Sequence, residues 1–397
     1  MSSNQQSKGI AILGSTGSVG KSTLDVIARN PEHFHVVALG ARQSVDELFL
    51  QVKKFAPSYV VIADETAAKK FQSQLTQLSA PPTVIVGADG LNEIASLPQV
   101  DCVMAAIVGA AGLMSTLAAA KAGKTVLLAN KESLVMSGEL LIATAKQHQA
   151  TLLPIDSEHN AVFQCMHNLA SDEVKQGVHQ VTLTASGGPF LHTPIPELFK
   201  ATPDQACAHP KWKMGRKISV DSATMMNKGL EVIEACLLFG LNVTMVNVVI
   251  HPQSIVHAMV TYRDGSIMAH MGHPDMRVPI AHAMAWPQRI DSGVSGLDMT
   301  QHSGLEFFQP DLQRFPCLRL AAEVQSTGGV APTVMNAANE IAVQSFLEGK
   351  INFTDIYEVV AEVIETFEPV KASSVEAIID VDQQARHLAN QKVSRLV

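Results

Sequence analysis

The amino-acid sequence predicts an α/β protein with an N-terminal doubly wound parallel sheet, a central α+β region and a small C-terminal helical bundle. Three observations predict it. Short, nearly all-apolar runs alternate with helical segments over residues 8–156. Beyond 156 the texture changes to turn-rich pieces between longer strands. From about Leu318 onward, apolar residues recur at helical spacing.

In the first part the runs GIAIL, FHVVAL, YVVIA, TVIV, DCVMAA, TVLLA and TLLPI are separated by helical stretches, which makes βαβ units. Strands covered by helices on both faces lose the period-two polar alternation, as these have. The doubly wound domain therefore takes residues 1–156. The second part, 157–286, has strands near QVTLTAS, VNVVIHP and SIVHAMVTYRDGSIMAH, with a hairpin through Asp264 and Gly265. Residues 287–317, dotted with proline and glycine, read as a linker. In the tail, 318–397, Pro332 opens a helix that Gly349 can close. Ile356, Val359, Val360, Val363, Ile364 and Phe367 mark another helix.

Composition narrows the function. The 397 residues are 47% hydrophobic and 17% charged, enough for a large core in a globular protein. The formal charge is -8 without a long basic run, so neither nucleic acid nor an anionic membrane is an expected partner. Cys102, Cys165, Cys207, Cys236 and Cys317 form no CxxC pair, which points to reduced thiols in a cytoplasmic protein. Neither an export signal nor an apolar run of membrane-spanning length is expected.

The turn GSTGSVG at 14–20 joins the first strand to a helix starting near Ser18, a Rossmann-like arrangement. Gly14 permits the turn, Gly17 and Gly20 allow close approach, and the helix N-terminus attracts a pyrophosphate. The spacing is GxxGxxG rather than GxGxxG, so an ordinary strand-to-helix turn accounts for it equally well. After the second strand stand Arg42 and Gln43 where an NAD enzyme usually carries an acid. A guanidinium there complements the 2′-phosphate of NADP, the alternative being a solvated arginine.

Two later strand ends are polar: LANKES, with Asn130, Lys131 and Glu132, and PIDSEHN, with Asp156, Ser157, Glu158 and His159. Ligands bind at the carboxyl ends of such strands. Asp156 and Glu158 point the same way if the strand continues. With a third carboxylate they can hold magnesium or manganese; solvated loop acids are the plainer alternative. Further on, His209 and Lys211 lie beside Trp212 in a short loop that can serve as a lid, with Gly215 at its flexible end. Ser222, Asn227 and Lys228 offer a hydroxyl, an amide and an ammonium, and Glu231 shares a helical face with Asn227. Ser186 precedes two glycines, a shape suited to phosphate. Singly, each is better explained as a cap or surface group, and only their clustering favours a site.

Taken in order, GSTGSVG, LANKES, DSEHNA, SGGPF, HPKWKMGRK, DSATMMNKGLE and IHPQS resemble the 1-deoxy-D-xylulose 5-phosphate reductoisomerases, and NAANEIAV at 336–343 extends the likeness into the tail. The resemblance implies an NADPH- and divalent-metal-dependent homodimer that makes 2-C-methyl-D-erythritol 4-phosphate for non-mevalonate isoprenoid synthesis. It makes 157–286 the catalytic and dimerisation domain. It implies metal ligands Asp156, Glu158 and Glu231. Ser186, Ser222, Asn227 and Lys228 correspond to contacts with the substrate's phosphate and backbone, and Lys131, Ser157 and His209 complete that pocket. Thr16, Gly17, Ser18, Val19, Asn130, Glu132 and Gly215 correspond to cofactor positions, and Trp212 to the aromatic of the lid. Lys131, Glu158 and His209 are the expected catalytic groups. Arg42, Gln43 and Ser44 depart from the family's GKN-like segment but keep a cation. A simple NADP dehydrogenase acting on a phosphorylated substrate and a non-catalytic nucleotide sensor are the competing readings.

Overall fold

The computed structural model describes residues 7–166, 176–210, 212, 214–302 and 304–396. The chain divides into two compact units, each built from several stretches: 1–133, 141–160 and 275–295 form the first, and 134–140, 161–274 and 296–397 the second.

In the first unit, strands β1 (Lys8–Leu13), β2 (Phe34–Ala41), β3 (Tyr59–Ile62), β4 (Thr83–Val86), β5 (Cys102–Ala105), β6 (Thr125–Leu128) and β7 (Thr151–Pro154) form one parallel sheet. Their order is β4-β3-β2-β1-β5-β6-β7. All seven apolar runs are thus strands. The order reverses between β1 and β5, which opens a crevice at their carboxyl ends. Ile10 to Leu13 are fully buried, as a strand covered on both faces requires.

The connecting helices are α1 (Ser18–Arg29), α2 (Val45–Phe55), α3 (Glu65–Leu75), α4 (Asp89–Ser96) and α5 (Leu113–Lys121). α1 is amphipathic, burying Thr23, Leu24, Val26 and Ile27. It ends at Asn30, whose amide donates to Val26 O at 2.8 Å and to Asp291 O at 2.9 Å, just before Pro31. Arg277 bonds Asp275 at 2.7 Å and Asp25 of α1 at 3.0 Å. These contacts place 275–295 with the sheet, whereas the sequence reading ended the sheet domain at 156 and assigned residues to 286 to the central region. A late segment carrying the partners of α1 gave no local sign of it.

α6 (Lys131–Gln147) is broken at Gly138, whose φ of 32° is not helical, and α7 (Ser157–Cys165) follows β7. In the second unit β8 (Val178–Ala185), β9 (Val246–Ile250), β10 (Val256–Tyr262) and β11 (Ile267–Met271) form a mixed sheet, ordered β11-β10-β8-β9. β10 and β11 are the expected hairpin, with Gly265 at a φ of 86°. Between these strands lie α8 (Pro203–Cys207), α9 (Arg216–Ala223) and α10 (Met226–Phe239).

α10 is apolar on two sides. Val232, Ala235 and Phe239 join the core over the sheet. Leu230 and Ile233 join a second core with Val334, Met335 and Phe346. Each large side chain so buried contributes roughly 2–3 kcal/mol. Its Gly229 has a packing reason, since a Cβ there would meet the Ala321 Cβ at 2.6 Å. α11 (Arg277–Ala285) belongs to the first unit, and the C-terminal helices α12 (Pro316–Thr327), α13 (Ala331–Leu347), α14 (Asp355–Glu365) and α15 (Val375–Leu396) include the expected Pro332 start. α12 to α15 are the expected C-terminal helices, and they share their core with Val220 and Ile233. The expected linker is partly stitched down: Phe308 bridges Ile250, and the Glu306 carbonyl meets His251 Nδ1 at 2.9 Å. Among the described residues no helix is long and apolar enough to cross a membrane.

Candidate active site

The strand ends of the first unit carry one half of the predicted residues. Gly14, at a φ of 89°, turns the chain directly after β1, and its amide and that of Ser15 both donate to Gly40 O at 2.9 Å. A Cβ on Gly14 would lie 2.7 Å from Ala106 O beyond β5, and one on Gly20 would lie 2.5 Å from Gly14 O. Both glycines are therefore required by space. Gly17 caps α1, so the first-turn amides of Ser18 and Val19 lack acceptors within the helix and can face an anion beside Thr16.

Arg42 and Gln43 lie exposed after β2. The Gln43 amide donates to Asp64 Oδ2 at 3.3 Å. Hydrogen bonds from the Ala67 amide first, then from Gln43, with the Arg42 charge adding, hold the Asp64 carboxyl below the usual carboxylate range. Asp64 was not foreseen from sequence; it caps α3 one strand away. Gln51 was also missed. It is buried on α2, and its amide donates to Ser15 O at 2.9 Å, so it holds the glycine turn from behind. A polar residue on the apolar face of VDELFLQVKKF is the signal that would have shown it.

After β6, Asn130 caps α6 by accepting from the Ser133 amide at 2.7 Å, while its own amide group donates to Ile107 O and, at 2.9 Å, to Gly109 O. Its side chain thus ties two strand-end loops together. Glu132 is buried in the following turn. Lys131 forms an ion pair with Asp156, both sides being mostly buried. Here one expectation is corrected: β7 stops at Pro154 and Ser157 already begins α7, so Asp156 and Glu158 do not alternate along a strand. The reason is local, since Asn160 N bonds Asp156 O at 2.9 Å as a helical turn requires, and the Asn160 side chain holds Pro154 O at 2.9 Å. The Ser157 hydroxyl donates to Glu158 Oε2 at 2.5 Å.

The second unit carries the other half. Ser186 directly follows β8, and Gly187 and Gly188 come next at φ values of 83° and 65°. The Gly188 amide donates to Ser186 Oγ at 3.2 Å, and His209 Nε2 lies 2.9 Å from the same oxygen. The Trp212 amide donates to His209 Nδ1 at 2.9 Å, so a neutral ring carries its proton on Nε2 and gives it to Ser186. Accepting twice, the Ser186 hydroxyl has its own proton to offer an anion. Beside Ser186 lies a cavity of about 1290 Å³, with Lys200, Gln205 and Gln253 in its wall. Lys211 and Lys213 lie outside the described residues.

A Cβ on Gly188 would lie 2.9 Å from Ser222 O, so the glycine loop rests on the end of α9 that carries Ser222. Gly215 caps α9 in open space at an ordinary φ of -62°. In α10 the side-chain amide of Asn227 donates to Glu231 Oε1 at 2.5 Å, and Lys228 pairs with Glu231 Oε2. Lys228 and Glu231 are 4% and 1% exposed, so this pair is charge-compensated in a dry setting. Ser186 with His209 and Trp212, and Asn227 with Lys228 and Glu231, are the groupings the second unit brings together.

The chain is similar to known proteins along its whole length. Residues 10–138 match the family described as 1-deoxy-D-xylulose 5-phosphate reductoisomerase, residues 152–239 its C-terminal domain, and residues 271–388 the DXP reductoisomerase C-terminal domain. The 1-deoxy-D-xylulose 5-phosphate reductoisomerase of Saccharophagus degradans is 55% identical over 96% of this chain and 97% of its own. That of Ectopseudomonas mendocina is 54% identical over the full length of both. A crystal structure of DOX-P reductoisomerase in complex with NADPH, fosmidomycin and magnesium superposes with a TM-score of 0.92, at 46% identity over 98% of both chains. The Zymomonas mobilis enzyme in complex with NADPH gives 0.90 at 45% identity, over 98% of this chain and 99% of that one. The chain belongs to the 1-deoxy-D-xylulose 5-phosphate reductoisomerase family.

Proposed function

We propose that this protein rearranges 1-deoxy-D-xylulose 5-phosphate and reduces the product to 2-C-methyl-D-erythritol 4-phosphate with NADPH and magnesium or manganese, serving non-mevalonate isoprenoid synthesis. The observation that carries the reading is the pairing of two acids with ammonium groups, Asp156 with Lys131 and Glu231 with Lys228, in a chain of this family. Carboxylate oxygens are the donors a hard dication takes. Asp156, Glu158 and Glu231 are its ligands in this proposal. The cradle fits the dinucleotide, because Gly14 and Gly20 admit no side chain and the amides of Ser18 and Val19 have no acceptor within their helix.

Bound, the metal would polarise the substrate's carbonyl and NADPH would supply hydride. The chain's own residues have separate tasks. Ser186, Ser222, Asn227 and Lys228 hold the phosphate and the sugar backbone. Lys131 and His209 steady negative charge as it develops, and Glu158, bonded by Ser157, moves a proton. Trp212 covers the substrate. Thr16, Gly17, Ser18, Val19, Asn130, Glu132 and Gly215 line the cofactor, and Arg42 with Gln43 meets its 2′-phosphate.

The protein works as a cytoplasmic homodimer. Its free cysteines suit a reducing compartment. The edge strand β11 exposes Ile267, Met268 and Met271, an apolar edge that a second copy can cover. Sedimentation at the mass of one chain would end the dimer reading.

The reaction is tested by following NADPH oxidation with 1-deoxy-D-xylulose 5-phosphate before and after chelation, with NADH as control. Oxidation that needs the sugar phosphate and returns with magnesium or manganese is expected. Folded, metal-replete protein that binds NADPH without turnover would instead favour a different dehydrogenase.

A further inference from the structure

The sequence motif NAANEIAV at 336–343 has no task in the reaction described above, yet it places two fully buried asparagines, Asn336 and Asn339, in α13. A buried amide is costly unless something uses it. Asn339 Nδ2 donates to Asp221 Oδ1 at 2.8 Å, across 118 positions of chain, and Lys217 Nζ meets the other oxygen, Oδ2, at 2.8 Å. Asp221 is 1% exposed and immediately precedes Ser222. Burial first, and then the charge of Asp221, push the neighbouring Cys317 thiol up to about 12.

The bonds continue toward the phosphate residues. The Thr224 hydroxyl donates to Asp221 O at 3.2 Å and accepts from the Met226 amide at 3.3 Å. Between them Met225 adopts a left-handed φ of 62°, which turns the chain from α9 into α10. That turn fixes where Asn227 and Lys228 begin. The Gly187-Gly188 loop, bearing Ser186, rests on Ser222 O. One anchored carboxylate therefore sits behind Ser186, Ser222, Asn227 and Lys228 together.

We infer that Asn339 and Asp221 are positioning residues for substrate-phosphate recognition, through which the C-terminal helices hold the turn between α9 and α10 in its binding geometry. Neither touches substrate. The inference rests on the reading of Ser222, Asn227 and Lys228 as phosphate contacts. Asn336 provides the comparison: it is equally buried in the same helix, but its amide bonds Glu340 within that helix at 3.2 Å.

The test uses the full-length enzyme with NADPH and magnesium, carrying Asn339→Leu, Asn336→Leu or Ser222→Ala. Asn339→Leu is expected to raise KM for 1-deoxy-D-xylulose 5-phosphate and the inhibition constant of inorganic phosphate about tenfold, as loss of a charge-assisted bond predicts. NADPH affinity should stay unchanged, and Asn336→Leu should alter melting temperature without altering either phosphate constant. Equal behaviour of the two asparagine variants, or a parallel loss of NADPH affinity, would overturn the inference. Should Asn339→Leu fail to fold, Asp221→Asn keeps the bulk while removing the charge, and an unchanged phosphate constant in it would be equally decisive. Ser222→Ala separates the two levels. No effect there means the phosphate reading has failed, whereas an effect there without one in Asn339→Leu means only the positioning idea has failed.

Discussion

The glycine turn of the first unit and the polar groupings of the second present hydrogen-bonding atoms in different materials. In the first unit's glycine turn the proposed cofactor surface is backbone: amides at the start of α1, made accessible by Gly14 and Gly20, where a side chain would strike a carbonyl oxygen. In the second unit it is side chains: Ser186 aligned by His209, and Glu231 bonded by Asn227 and Lys228. A backbone site tolerates changes of side chain but no added bulk. A side-chain site tolerates bulk nearby but no loss of charge or of a hydrogen-bonding atom.

Two sets of substitutions probe that contrast. The largest effect is expected from the acids: Glu231→Gln or Glu158→Gln should lower turnover by roughly 100-fold or more, the scale of losing a key electrostatic group, with an unchanged circular dichroism spectrum. Near-normal turnover in both would remove them from the metal site. Gly20→Ala comes next. The 2.5 Å approach to Gly14 O forces the turn to shift, so KM for NADPH should rise by about tenfold or more while KM for the sugar phosphate holds. Gly215→Ala sharpens the contrast with the smallest effect. Its Cβ would enter open space at an ordinary φ, so both KM values should stay within about twofold of the parent. A large change there would show that Gly215 has a backbone role the first unit's glycines do not monopolise.

The contrast also explains what could be read beforehand. The seven strands of the first unit were legible because each is a short apolar run bounded by polar turns, and its glycine turn because the requirement is local. The ordered motifs of the second unit were legible only through family likeness, because no single one of them has a spacing that dictates a ligand. Asp156 and Glu158 were singled out, but their geometry was misjudged, since Ser157 starts a helix where the pattern had suggested continued strand. Gln51, Asp64 and Asn339 escaped notice for a shared reason: each acts on a residue 21 or more positions away, and nothing adjacent marks the partner.

The return of residues 275–295 to the first unit bears on the order in which the protein can be made. During synthesis the seven strands emerge by residue 154, but Asp25 and Asn30 of α1 wait for Arg277 and Asp291. More than a hundred residues of the other unit leave the ribosome in between. The dinucleotide sheet is therefore begun first and finished late, and a gene cut after the last of its strands would encode a sheet lacking the segment that clasps its first helix.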